Sequence, residues 1–276
     1  MHIINKIFRR LVMLISQIKI NRWEREIKFV RLANFNMIVL ANEDVGRQLM
    51  LFKSYELAET NFFKKNIKST DICFDIGGNI GYFSLLFAYL APKGCVHVFE
   101  PIKLNLSMIN TNAAINSMEN LIINNSAVGS SRGSVKFSIS EDSAYSSIKN
   151  TGRIRELKSI SVPLTTIDDY VKSNGIKRID ILKVDVEGAE NLVLDGLIEV
   201  LSNPSKKPRF ILMELYDDNL KVFNASIAKI IKKMEAFHYY PFIINSKNSD
   251  LIRFDPVMHK KFYNIIFKRK FHKDVN

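Results

Sequence analysis

From residue 71 onward the chain alternates short apolar runs with longer stretches of helical period. Asp71–Asp75 predicts a strand, Tyr82–Leu90 a helix and Cys95–Phe99 a strand. Lys103–Asn116 predicts a helix, and Leu121–Asn124 and Val135–Ile139 predict strands. The pattern continues with a helix over Thr166–Ser173, a strand over Ile179–Val184 and a helix over Glu190–Leu201. Phe210–Leu215 reads as a strand and Ala225–Phe237 as a helix. The short runs Pro241–Ile244 and Leu251–Phe254 read as a closing hairpin. The strands Ile179-Asp180-Ile181-Leu182 and Phe210-Ile211-Leu212-Met213 are almost continuously apolar. Such runs belong to a parallel sheet covered by helices on both faces. Ligands of these sheets sit beyond the carboxyl ends of the strands, near the point where strand order reverses. The Ser-rich stretch Ser126–Ser147 reads as loops around a strand.

Residues 3–18 have a different pattern. Ile4, Ile7, Phe8, Leu11, Ile15 and Ile18 share one helical face, and Lys6, Arg9, Arg10 and Lys19 lie mostly elsewhere. One reading is a basic amphipathic helix resting on an anionic membrane surface. The other, the commoner arrangement in proteins, is a helix packed on the body with its charges in water. No apolar run reaches the roughly 18–20 residues that a membrane span needs. The stretch Leu11–Ile15 is short, and no small-x-small cleavage pattern follows it, so a signal peptide is not expected.

The chain has 276 residues, 47% hydrophobic and 25% charged, which sets aside wholesale disorder and collagen-like repeats. Its net charge of +12 is unevenly placed. Residues 1–32 hold eight Lys/Arg and two Glu, and residues 257–276 hold six Lys/Arg and one Asp. The body between them is nearly neutral. A nucleic-acid enzyme more often surrounds its cleft with bases, so no nucleic-acid partner is expected. The expected division is a basic N-terminal extension over 1–50, a catalytic domain over 51–256 and a basic tail over 257–276. Cys73 and Cys95 each fall in an apolar run and read as small core residues. A cytoplasmic location fits them.

Three constellations carry chemistry. The first is Asp75-Ile76-Gly77-Gly78-Asn79-Ile80-Gly81, between a strand and a helix. Glycines there let backbone approach a ligand closely. The dinucleotide fingerprint would need a glycine at position 76, which is Ile, and an acid stands at 75. An acid at the bend suits a ligand bearing positive charge, such as S-adenosylmethionine, better than a pyrophosphate. The second is Glu100, followed by Pro101 at the end of the next strand, where a carboxylate can accept ribose hydroxyls. The third is Lys183-Val184-Asp185-Val186-Glu187-Gly188-Ala189-Glu190, acid-rich at the end of a buried strand. Glu190 reads equally as a cap complementing the helix dipole. Asp185 and Glu187 need partners, and Lys183 is one candidate.

With these motifs in place, the sequence resembles the FkbM family of class I S-adenosylmethionine-dependent methyltransferases. The likeness rests on Tyr55-Glu56, Asp75–Gly81, Glu100-Pro101, Asn125–Gly129, Val162–Asp169, Ile179–Glu190 and Met213-Glu214, and spans about residues 50–245. It implies a doubly wound, mostly parallel seven-stranded α/β sheet with an N-terminal helical and strand extension. It also implies O-methylation of sugar hydroxyls in surface glycans or glycolipids, or of natural products. Carried over by position, Asp75, Gly77, Asn79 and Gly81 line the methionine end of the cofactor. Glu100 takes the ribose, Ser126 and Ala127 border the adenine, and Lys183, Asp185 and Glu187 face the acceptor. Ser143–Ser147 corresponds to a variable substrate loop in which Tyr145 either stacks on a sugar ring or is simply exposed. Gly78 stands where the family more often has Ala, and His238 where Gly is usual.

Methyl transfer to a sugar hydroxyl calls for positioning and for a base or a metal. Asp185 is the first candidate base and Glu187 the second. A Mg²⁺ held by Asp185, Glu187 and Glu214 is the alternative, and no metal is assigned. His97 reads as a strand residue of the core or edge, and His238 as a helix-end residue. Three rivals remain: a nucleotide-dependent oxidoreductase, a nucleic-acid methyltransferase, for which no Asn/Asp-Pro-Pro-aromatic turn is seen, and a non-catalytic, membrane-associated binding protein. The basic ends fit an address at the inner membrane face as well as mere solubility.

Overall fold

The computed structural model describes residues 26–255 and 262–269. In chain order the strands are β1 (Ile27–Arg31), β2 (Asn36–Leu40), β3 (Ile72–Ile76), β4 (Cys95–Phe99), β5 (Leu121–Asn124), β6 (Ala127–Val128) and β7 (Gly133–Ser140). They continue with β8 (Glu156–Thr165), β9 (Ile181–Val184), β10 (Phe210–Tyr216), β11 (Tyr239–Ile244), β12 (Leu251–Arg253) and β13 (Phe262–Arg269). Among the described residues the main sheet has eight strands, in the order β12-β11-β13-β10-β9-β3-β4-β5. β9, β3, β4 and β5 are parallel neighbours, and β10 runs parallel to β9. The chain goes from β3 outward through β4 to β5, then returns to the other side of β3 as β9 and β10. Strand order therefore reverses at the carboxyl end of β3.

The pleat of β3 explains both faces of the sheet. Phe74 and Ile76 enter one core with Leu182, Val184 and Met213. Cys73 enters the other with Val96, Phe83 and Phe87 from the helix Tyr82–Leu90. Asp75 alternates onto that second face and meets the same helix. At the opposite, amino ends of the strands, Arg209 bonds Asp71 at 2.8 and 3.0 Å and Asp180 at 3.0 Å. That pairing ties β3, β9 and β10 together away from the ligand side.

Several expectations need correction. Residues 257–276 are not merely a basic tail, because Phe262–Arg269 forms β13, antiparallel to both β10 and β11. Ile265, Ile266 and Phe267 are fully buried there. Each such side chain contributes roughly 1.5–3 kcal/mol by burial. The flanking bases dominated the charge count and hid this short apolar run. Together with the β11–β12 hairpin it makes the main sheet eight strands rather than seven. The expected boundary at residue 50 falls inside the helix Asp44–Phe52. β2 is held to the body by Asn112 of the helix Lys103–Ile115 and by Asn116, which caps its end; they bond the backbone of Ile38 and Asn36 at 2.7–3.1 Å. The amphipathic helix expected over 3–18 lies outside the described residues.

The strand expected over Val135–Ile139 exists as β7, but it leaves the main sheet and pairs with β8, which pairs with β6. The helix expected over Glu190–Leu201 is two helices, Glu190–Asp195 and Ile198–Ser202. The Asp168 carboxylate accepts from the N–H groups of Glu199 and Val200, both at 2.9 Å, and caps the second one. Cys73 and Cys95 are free thiols. No helix among the described residues is long and apolar enough to cross a membrane.

Candidate active site

A cavity of about 310 Å³ opens at the carboxyl ends of β3, β4, β9 and β10, at the reversal point. Its lining includes Asp75, Gly77, Asn79, Glu100, Ser126, Ala127, Lys183, Asp185 and Glu187, nine of the ten residues expected to carry chemistry. Gly81 is the exception. It precedes the helix Tyr82–Leu90 with φ of 94° and packs against Leu85 and Ile109, so it shapes the turn and does not line the cavity.

One end of the cavity is built by segments that follow one another in the chain. Gly77 has φ of 83°, and a Cβ there would lie 1.8 Å from the Asp185 carbonyl oxygen. The turn after β3 therefore rests directly on the backbone after β9, whose Asp185 N–H donates to Ile76 at 3.0 Å. Asp75 is buried, and its Oδ2 accepts from Ser84 Oγ at 2.6 Å. Its Oδ1 has no partner. Burial raises the Asp75 pKa, and the Lys183 ammonium opposes the rise. A buried, unpartnered carboxylate oxygen on a ligand cavity fits a cationic donor group. Glu100 accepts from the N–H of Asn79 at 2.9 Å and of Ile102 at 2.8 Å. Burial pushes its pKa up to about 8, against those two donors. A carboxylate with two N–H donors still has acceptor capacity for hydroxyls. Ser126 and Ala127 follow β5 and close this end.

The other end is assembled from distant parts of the chain. Lys183 is buried, donates to Asp185 Oδ2 at 2.9 Å and lies 5.0 Å from the centre of the Phe83 ring. Burial works against its charge, but Asp185, Asp75 and Glu56 hold its pKa above the ordinary lysine value. Glu187, with φ of 52°, accepts from Arg153 Nη1 at 3.0 and 3.2 Å and from Asn219 Nδ2 at 2.6 Å. Burial pushes its pKa up to about 7, and Arg153 pulls the other way. The Arg153 guanidinium also lies 4.5 Å from the centre of the Tyr145 ring and 5.2 Å from that of Tyr216. Its side chain is 30% exposed, at the rim. Glu214 on β10 has a raised pKa from burial and from the charges of Asp185, Glu187 and Glu56.

Arg153 carries no signal in the sequence pattern. It sits in a loop without periodicity, and only the return of β8 beside β7 brings it over the cavity. Glu56 was noticed only within the resemblance, yet it lines the cavity beside Tyr55. Glu190 lies beneath the loop, where Oε1 accepts from the N–H of Gly188 at 3.1 Å and of Val186 at 3.4 Å. It caps the backbone there. His97 is buried and bonds Tyr170 at 2.9 Å, and burial lowers its pKa to about 4. His238 does not line the cavity.

Ligand oxygens of Asp185, Glu187 and Glu214 come within 4.8 Å of one another, a donor set that a hard cation would accept. Two of these carboxylates already hold protein cations, Asp185 through Lys183 and Glu187 through Arg153. The internal pairing accounts for that part of the negative charge without an ion.

The family model described as the methyltransferase FkbM domain matches residues 75–241. Methyltransferase sdnD of Sordaria araneosa is 25% identical over 198 residues, covering 61% of this chain and 74% of that protein. The 2-O-methyltransferase NoeI of Sinorhizobium fredii is 27% identical over 184 residues, covering 62% and 73%. Among solved structures, methyltransferase FkbM from Methylobacillus flagellatus KT aligns with a TM-score of 0.46 at 12% identity, over 82% of this chain and 60% of that one.

Proposed function

Because the chain belongs to the FkbM methyltransferase family, we propose that it moves the methyl group of S-adenosylmethionine onto a hydroxyl oxygen. The acceptor proposed is a sugar of a surface glycan or glycolipid, or a natural product. The observation that carries this reading is the cavity itself. At one end an unpartnered Asp75 oxygen awaits a cationic group and Glu100 stands ready for hydroxyls. At the other, Asp185 and Glu214 face the same space beneath Arg153. Such acid-rich walls suit a sulfonium and an ammonium, whereas a dinucleotide pyrophosphate would be repelled.

The donor brings its own activation, so the chain supplies position, water exclusion and a place for one proton. Asp75 and Glu100 hold the donor, with Asn79, Ser126 and Ala127 around it. Asp185 accepts the hydroxyl proton as the oxygen attacks. Lys183 fixes the Asp185 carboxylate and keeps it aimed. Glu187 and Tyr216 position Arg153, and Arg153 with Tyr145 forms the rim on which a sugar ring packs. Relatives bearing names such as the 2-O-methyltransferase NoeI and the hexuronic acid methyltransferase AglP of Haloferax volcanii support the acceptor class. The basic N-terminal segment is proposed to hold the enzyme near an anionic membrane or glycan. Deleting residues 1–20 then releases it from membrane fractions without changing cofactor affinity; unchanged fractionation removes this part of the proposal.

The test is incubation with methyl-labelled S-adenosylmethionine and extracts of lipid-linked and capsular glycans. Label in an alkali-stable ether on a sugar is the expected result. Label absent from every hydroxyl compound, with the cofactor bound, removes the acceptor assignment.

A further inference from the structure

Glu56 is the least comfortable residue on the cavity wall. It opens the helix Leu57–Asn66 with φ of 39° and ψ of 66°, a left-handed conformation that side chains other than Gly, Asn and Asp rarely adopt. No side-chain cap bond compensates this at the helix start. Its carboxyl shares a single donor with Glu59: Asn264 Nδ2 of β13 lies 3.2 Å from Glu56 Oε1 and 2.9 Å from Glu59 Oε1. Two carboxyls crowd one amide donor; partial burial raises the pKa of each, and the Glu59 charge raises that of Glu56 further. Strain of the backbone and crowding of like charges meet at one residue, and that residue faces the ligand cavity. Strained backbone of this kind clusters at active sites and ligand clamps.

Among the described residues, the groups facing Glu56 come from several elements. Glu59 shares its helix, and Tyr55 precedes it. Lys183 and Asp185 approach from the end of β9, Glu214 from β10 and Tyr82 from the following helix. Lys183 is the one cation in this set, and it is already engaged with Asp185. Set against Glu56, Glu59, Asp185 and Glu214, Lys183 leaves the fully ionised set three positive charges short, and bound protons make up part of that deficit. Burial together with Glu59 pushes the Glu56 pKa up to about 8.

We propose that the Glu56–Glu59 pair releases a proton when the positively charged methyl donor binds and regains one when the methyl group has left. This rests on the methyl-transfer reading above. The bookkeeping of atoms is closed. Transfer breaks the sulfur–methyl bond and forms the oxygen–methyl bond. The sulfonium becomes a neutral thioether, and the acceptor hydroxyl gives up one proton. Asp185 takes that proton first. Loss of the sulfonium charge restores the proton affinity of the carboxyl pair, so the site ends the cycle as protonated as it began. Product and substrate then differ in the charge state that they impose on the wall, which favours exchange of spent cofactor for fresh.

S-adenosylmethionine and S-adenosylhomocysteine carry the same titratable groups and differ in the fixed sulfonium charge and its methyl group, so their difference reads the effect of that charge. Titration calorimetry of the full chain near pH 7.5, in buffers of different ionisation enthalpy, counts the protons released. The expected excess for S-adenosylmethionine over S-adenosylhomocysteine is about half a proton or more. Glu56→Gln removes this excess and still binds S-adenosylhomocysteine, and Glu59→Gln reduces it. Equal proton release by both ligands in the parent chain overturns the proposal. So does an excess that persists in both variants. If neither ligand binds, the cofactor reading itself fails, and this proposal falls with it.

Discussion

The two ends of the cavity are built by opposite means. The end assigned to the methyl donor comes from a local stretch, residues 75–127, and its acids are held largely by backbone N–H groups and one serine. The end assigned to the acceptor draws on residues 145, 153, 183–187, 214 and 216, whose side chains hold one another through ion pairs and amides. Backbone donors are fixed once the fold forms, so the first end is rigid without further help. Side-chain pairs can be exchanged without disturbing a strand, so the second end is free to suit different acceptors. A constant donor beside a variable acceptor calls for this division.

The largest expected effect comes from joining the two ends. Gly77→Ala drives a methyl group into the Asp185 carbonyl at a left-handed position. It should destabilise the fold by more than ~3 kcal/mol in urea unfolding and abolish cofactor binding. Unchanged stability would mean that the ends do not touch. Next, Asp75→Ala should weaken S-adenosylhomocysteine binding by ~100-fold or more in calorimetry, whereas Asp185→Asn should keep binding and lose turnover. Equal loss of binding in both variants would erase the comparison. Arg153→Ala should raise the acceptor KM by ~10-fold while cofactor affinity stays constant. A change in cofactor affinity instead would place Arg153 at the wrong end.

The smallest effect is a pH dependence. Burial raises the Glu100 pKa from 4.5 to about 8 in the folded chain, so the folded state holds the proton more tightly. Its contribution to stability is fully present below pH 4.5 and is lost as pH rises through about 8. Glu100→Gln should therefore flatten the fall of Tm across that window. An unaltered slope would assign the fall to Glu56, Glu190 or Glu187, whose pKa values burial also raises.

The same contrast decides what the sequence revealed. The turn after β3, Glu100 and the run from Lys183 to Glu190 were legible because each lies at the carboxyl end of a strand with a clear apolar pattern. Position and chemistry coincide there. Arg153 was not, because it follows an aperiodic loop and acquires meaning only from Tyr145, Tyr216 and Glu187 around it. β13 was hidden for another reason. Its few apolar residues sit among bases, and its burial depends on partners more than 40 residues earlier in β10. Gly81 is the reverse case: its place in a motif suggests ligand contact, while the structure puts it at the start of a helix and outside the cavity lining.

The central claim is that this cavity binds an adenosyl sulfonium donor through its Asp75 end. It is tested most directly by calorimetric titration of the full chain with S-adenosylhomocysteine and, separately, with NAD⁺. The account predicts saturable binding of S-adenosylhomocysteine that Asp75→Ala weakens by ~100-fold or more, and no binding of NAD⁺. Saturable NAD⁺ binding, or S-adenosylhomocysteine binding that survives intact in Asp75→Ala, would contradict it.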